Sequence, residues 1–223
     1  MRSSIFVHPQ SGRLLWQWAT CILLTVALTS CLKSKSKKLG ERHDFGENDS
    51  EVVLVMGDSI SAGGFSGGAP WPARLNGMIG KTVVNDSSRG AASTAGASRI
   101  DGQLRSRKPG FVIICYGAND AIRGIDIEET ENALRYMART ARDNQSIPLI
   151  ATVLPMTGAR EIFNGGGDAI NQRIYTLAKQ EKAVVVNLNR EVSRDLELYL
   201  QDGLHLSDLG EELVALTFMD VFD

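Results

Sequence analysis

Histidine, cysteine and charge of one sign are all scarce in this sequence. Of 223 residues, three are histidine and three cysteine, and 24 Lys+Arg stand against 26 Asp+Glu for a net charge of -2. Nucleic-acid binders carry a basic excess that this chain lacks, so nucleic acid is not expected as a partner. Cys21, Cys31 and Cys115 are too few and too scattered for a disulfide framework or for a zinc site with paired ligands, and no metal is expected. Long apolar runs are missing too. The run over residues 14–29 has sixteen residues broken by Gln17, whereas a membrane-spanning helix needs about 20. Hydrophobic residues at 43% and charged residues at 22% sit near globular averages, which excludes disordered and collagen-like chains.

What is present divides the chain into unequal parts. Arg2 and Arg13 precede the apolar run, which stops at Ser30-Cys31 and a lysine-rich tract, the layout of a secretory signal; an uncleaved anchor is the other reading. Leu28-Thr29-Ser30-Cys31 resembles the bacterial lipobox, and that resemblance implies that Cys31 is the acylated first residue of the mature protein. The alternative is an ordinary thiol near a cleavage site. Residues 32–50 are polar and charged with no apolar periodicity, and read as a tether. The expected organisation is therefore a signal over 1–30, a lipidated tether over 31–50 and one domain over 51–223. From residue 50 onward there are 17 basic against 22 acidic side chains, so the domain is mildly acidic. A lipid-anchored protein of the bacterial cell envelope, periplasmic or at the cell surface, touches the membrane through that anchor.

Short apolar runs recur at residues 51–56, 82–85, 111–116, 148–154 and 183–188. Their near-continuous apolar character predicts strands buried on both faces, as in a parallel sheet. Between them lie helical patterns. One opens at Asp126 with Glu129 three residues on, as in a capping box, and sets Ile127, Thr130, Leu134, Met137 and Ala141 on one stripe. A second runs from Asp168 through Ile170, Ile174, Leu177 and Ala178. A last one opens near Ser207 and carries Leu209, Leu213, Leu216 and Val221. Alternating strands and helices predict a doubly wound α/β domain whose functional residues collect at the carboxyl ends of the strands.

At those ends stand small polar residues. Gly57-Asp58-Ser59 follows the first strand and leads into a glycine-rich loop, residues 60–69. A serine at a tight strand-to-helix turn presents its hydroxyl above the sheet, as a nucleophile must, but serine is also a preferred helix cap. No Gly-Lys-Ser/Thr follows, which excludes a P-loop. Gly90 after the second strand and Asn119 after the third offer a bare backbone N–H and a side-chain amide to an oxyanion, although Gly and Asn also dominate ordinary turns. His8 and His43 fall outside the domain, leaving His205 as its one histidine, three residues after Asp202. A base and the carboxylate that orients it are what a serine nucleophile requires; a structural histidine is the alternative. Cys115 sits inside an apolar run and reads as a core residue.

Gly57-Asp58-Ser59-Ile60, Gly90, Gly117-Ala118-Asn119-Asp120 and Asp202-Gly203-Leu204-His205, in that order, resemble the four signature blocks of the SGNH (GDSL) hydrolases. The texture is closest to the bacterial lysophospholipase, thioesterase and arylesterase subgroup, echoed in Ser61-Ala62-Gly63, Trp71-Pro72 and Ala121-Ile122-Arg123-Gly124. The resemblance implies a three-layer α/β/α sandwich on a five-stranded parallel sheet, flavodoxin-like, and a serine esterase acting on carboxylic esters, lipid esters or thioesters without a cofactor. By position it implies Ser59 as nucleophile, His205 as base, Asp202 as its partner, and an oxyanion hole of the Ser59 and Gly90 N–H groups with the Asn119 side chain. It further implies that residues 122–127 and 156–168 border the acyl site. Two departures stand out: Ala118 replaces a common glycine, and Leu206 replaces a common proline, which predicts a less rigid final loop. A carbohydrate or cell-wall O-acetylesterase and a non-catalytic envelope binding module are the competing readings.

Overall fold

The computed structural model describes residues 38–223; the signal segment, Cys31 and the start of the tether lie outside the described residues. Five strands, β1 (Asp49–Gly57), β2 (Thr82–Asn85), β3 (Pro109–Cys115), β4 (Ile147–Ala151) and β5 (Val184–Val186), form one all-parallel sheet in the order β2-β1-β3-β4-β5. That order is flavodoxin-like, with its reversal between β1 and β3. Within the strands, residues alternate between two cores. Leu54, Met56, Val112, Ile114 and Ile150 enter one; Val53, Val55, Phe111, Ile113 and Leu149 enter the other. Burial on both faces is why the strands read as continuous apolar runs.

The helices are α1 (Ser59–Ala62), α2 (Trp71–Ile79), α3 (Ser93–Ala97), α4 (Ile100–Arg107), α5 (Ala118–Arg123), α6 (Ile127–Asp143), α7 (Asn164–Glu181), α8 (Leu188–Glu191) and α9 (Asp208–Phe222). Leu104, Leu134, Met137, Ile170 and Leu177 from α4, α6 and α7 close the first core; Trp71, Leu75, Val214 and Phe218 from α2 and α9 close the second. Helix α6 starts as its sequence predicts, with Asp126 accepting hydrogen bonds from the Glu128 and Glu129 N–H groups at 2.8 and 3.3 Å. No helix among the described residues is long and apolar enough to cross a membrane.

Three expectations are corrected. Helix α7 begins at Asn164, four residues before Asp168, and its first turn runs through glycines of which Gly166 and Gly167 lie close to neighbouring elements. A Cβ at Gly166 would sit 3.3 Å from that of Ala121, and one at Gly167 3.4 Å from Val153. Helix α9 buries Gly210, Glu211, Val214, Ala215, Phe218 and Phe222, while Leu209 and Leu216 face outward. Residues 38–48, read as tether, belong to the domain. Leu39 and Phe45 pack against the second core, and the Phe45 ring lies 5.3 Å from that of Phe111, which lies 5.2 Å from Phe222.

Glu211 is buried because it caps a helix from across the domain: its carboxylate accepts the Trp71 N–H at 2.8 Å, where α2 begins. Burial pushes this carboxyl up to about 7, with the Trp71 N–H and the Arg74 guanidinium offsetting only part of the effect. An acid raised in this way supports the fold while protonated; the contribution is complete below its ordinary value of 4.5 and is lost as pH climbs through 7. Glu211→Gln keeps the acceptor oxygen and removes the charge. The variant is expected to melt with the wild type near pH 4.5. At pH 8 it should melt several degrees higher, at about 2–4 °C per kcal/mol for a domain of this size. Equal differences in Tm at both pH values would refute the assignment.

Candidate active site

The turn after β1 is built so that only small groups fit. A Cβ on Gly57 would fall 2.6 Å from Ser61 Oγ and 2.9 Å from the Cys115 carbonyl oxygen. Asp58 follows in extended backbone and caps α1, its Oδ1 accepting the Ile60 N–H at 2.9 Å. Asp58, not Ser59, is thus the cap, which frees the Ser59 hydroxyl. Ser59 opens α1 at the carboxyl edge of the sheet.

His205 is carried by a loop pinned at several points. The Leu200 N–H bonds the His205 carbonyl at 2.8 Å, and Tyr199 pairs with Leu206 in an antiparallel bridge. Gly203 has φ 68°, and a Cβ there would meet the Thr157 carbonyl oxygen at 2.1 Å, so glycine is required. Asp202 Oδ1 accepts the Leu204 and His205 N–H groups, each at 3.0 Å, which turns its Oδ2 toward the imidazole Nδ1 at 2.5 Å. His205 Nε2 then lies 2.9 Å from Ser59 Oγ. Residues 146 positions apart are brought into one relay, and the neighbours in sequence, Asp202 and His205, share it. Partial burial raises the Asp202 carboxyl, but the two N–H bonds and the imidazole outweigh it and hold the group below its ordinary range. Leu206, expected to loosen this loop, is instead buried in the second core, so packing supplies the restraint that proline would have given.

Two loops touch the serine turn, one through the Ser88 N–H on the Gly57 carbonyl and one through Asn119 on Asp58. Among the described residues neither the Ser59 N–H nor the Gly90 N–H has a main-chain or side-chain acceptor, so both are free donors. Gly90, at φ 72°, is oriented from behind by Arg123, whose Nη2 donates to its carbonyl at 2.6 Å. Asn119 is buried at the start of α5. Its Nδ2 donates to Asp58 Oδ2 and to the Ala91 carbonyl, both at 3.2 Å. Both amide hydrogens are therefore engaged through long bonds. Burial pushes Asp58 itself up to about 7, against the pull of the Ile60 and Asn119 donors. Asp120 does a different job: it receives the Ser93 N–H and hydroxyl and ties α5 to α3.

The segments expected to flank an acyl group do adjoin these loops. Residues 122–127 are the end of α5 and the link to α6, and residues 156–168 run through a 3₁₀ turn (Gly158–Phe163) into α7, with Arg160 donating to the Asp202 carbonyl at 2.9 Å. A cavity of about 30 Å³ lies beneath the serine turn, lined by Ile60, Trp71, Ala118, Val153 and Leu154 among others. It has room for about one water molecule. Cys115 is partly buried there and its thiol is pushed well up by desolvation, which removes it as a nucleophile. No group of three or more His, Cys, Asp or Glu side chains among the described residues converges as a metal site would. Two parts escaped the sequence reading: Arg123 behind Gly90, and Phe65, which sits in the glycine-rich loop after α1 and stacks on His205.

Known proteins are similar to this chain. Residues 55–213 match the model of the GDSL-like Lipase/Acylhydrolase family. Thioesterase 1/protease 1/lysophospholipase L1 of Escherichia coli (strain K12) is 31% identical over 175 residues, covering 74% of this chain and 80% of the relative. An arylesterase of Vibrio mimicus is 30% identical over 202 residues, covering 86% and 93%. The crystal structure of TesA superposes with a TM-score of 0.69 at 26% identity, covering 76% of this chain and 97% of that one. A family match over most of the domain, with relatives about 30% identical along it, makes this chain a member of the GDSL-like lipase/acylhydrolase family and an ester hydrolase.

Proposed function

We propose that Ser59 is the nucleophile, His205 the general base and Asp202 the group that orients it. The carrying observation is the continuous relay from Asp202 through His205 to Ser59 at 2.5 and 2.9 Å. Ser59 Oγ attacks the ester carbonyl while its proton passes to His205 Nε2. The tetrahedral oxyanion is met by the Ser59 and Gly90 N–H groups, and Asn119 adds a third donor by sharing one of its long bonds. Collapse expels the alcohol or thiol, which takes the proton from His205. Water, deprotonated by the same imidazole, then releases the acid and restores Ser59.

The substrates proposed are carboxylic esters with apolar acyl chains, including lysophospholipid-like and aryl esters, and thioesters. The names of the relatives support this range. So do Arg89, Arg123 and Arg160. Each is anchored to a main-chain carbonyl of a site loop, and none has a carboxylate partner among the described residues, so their charge is open to an anionic head group. An anchor at Cys31 in the bacterial envelope is part of the same proposal, supported by the apolar run ending in Leu28-Thr29-Ser30-Cys31. The test is a series of p-nitrophenyl esters from acetate to dodecanoate, with acetylated sugars alongside. Higher kcat/KM beyond four carbons is expected; activity confined to acetate would favour an O-acetylesterase instead.

A further inference from the structure

Phe65 has a peculiar position for a large apolar side chain. It projects from the glycine-rich loop after α1 and remains 39% exposed, so core burial does not explain it. Its ring lies flat on His205, with centroids 3.8 Å apart and planes inclined by 16°. The Arg89 guanidinium lies over the same ring at 4.6 Å. The imidazole already covers one face at contact distance, so the guanidinium must occupy the other, and Phe65 is held between them. Arg89 is in turn fixed by donating to the Gly63 carbonyl at 2.7 Å, and Gly64 makes room, since a Cβ there would lie 2.7 Å from Arg89 Nη2. Stacking of this kind joins the loop of the base to the loop of Gly90.

We propose that Phe65 is a positioning residue that clamps the plane of His205, with Arg89 clamping Phe65 from outside. The inference rests on the triad reading above. The need arises midway through the reaction. In the resting enzyme the imidazole is fixed at both nitrogens, by Asp202 and by Ser59. Once Ser59 is acylated its hydroxyl proton is gone, Nε2 loses that donor, and one edge bond to Asp202 would leave the ring free to swing. A flat aromatic face keeps Nε2 aimed at the carbonyl while water enters, and it also attracts the imidazolium formed in each half-reaction.

Phe65→Ala, Phe65→Leu and Phe65→Tyr in the full chain test this, with Ser59→Ala beside them. Phe65→Ala should lower kcat about tenfold, equally on p-nitrophenyl acetate and octanoate, with KM within twofold of wild type. Phe65→Tyr, which restores the flat face, should return to within threefold of wild type, whereas Phe65→Leu, similar in bulk but not flat, should stay low. A loss confined to KM, or one that grows with chain length, would make Phe65 a substrate wall and overturn the proposal. Wild-type kcat in Phe65→Leu would overturn it as well. Should Phe65→Ala fail to fold, the contrast between Tyr and Leu at equal Tm decides. Activity retained in Ser59→Ala would instead defeat the triad reading; Ser59→Ala inactive with Phe65 variants unaffected would defeat this inference alone.

Discussion

Ser59→Ala is expected to abolish ester hydrolysis, with kcat falling by about 10⁴-fold or more, the range in which loss of a triad nucleophile falls. No other group stands ready to replace it. Ser61 and Cys115 are the nearest candidates by sequence and contact, but the Ser61 side chain is fully buried and the Cys115 thiol is held protonated by desolvation. His205 Nε2 points to Ser59 Oγ and to no other hydroxyl. His205→Ala should cost nearly as much, and the double variant little more than either, because the two act as one unit. Ester turnover under substrate saturation, together with loss of labelling by a fluorophosphonate, checks both. Activity within tenfold of wild type in either single variant would mean that the relay seen here is not the catalytic one. Melting temperatures should stay close to wild type, since neither side chain fills the core.

Asn119→Ala is expected to lower kcat by about 10²- to 10³-fold with a small change in KM, the signature of a donor aimed at charge that develops only in the transition state. The geometry adds a second consequence. Asn119 spends its amide hydrogens on Asp58 and the Ala91 carbonyl, so its removal leaves the buried Asp58 with one donor fewer. A stability loss of about 1–3 kcal/mol should accompany the kinetic one, the usual cost of leaving a buried acceptor short of a partner. Thermal melts and single-turnover acylation separate the two effects. If kcat were unchanged while stability fell, Asn119 would be only a brace for Asp58, and the oxyanion would rest on the Ser59 and Gly90 N–H groups alone.

The sheet and the relay were legible in the sequence for physical reasons. Strands buried on both faces must be apolar throughout, so they stand out as runs, and residues at their carboxyl ends are assigned to one edge by topology alone. Asp202 and His205 lie in one turn, where local hydrogen bonds settle the geometry. Features that depend on distant partners were not legible. Helix α9 is apolar nearly all round, so its period does not choose a face, and nothing local announces that Glu211 turns inward to meet Trp71. Leu39 and Phe45 are isolated apolar residues in a polar stretch whose partner, Phe111, lies far along the chain. Phe65 stands alone among glycines and small residues, with no local pattern to give it a role. Its meaning comes from His205, 140 positions later, and from Arg89.

The outer strands of the sheet carry one more consequence. β2 has four residues and β5 three, against nine and seven in β1 and β3 at the centre. A sheet bordered by such short strands offers few unpaired main-chain groups to a passing extended segment, so it resists strand-by-strand association with another copy of itself.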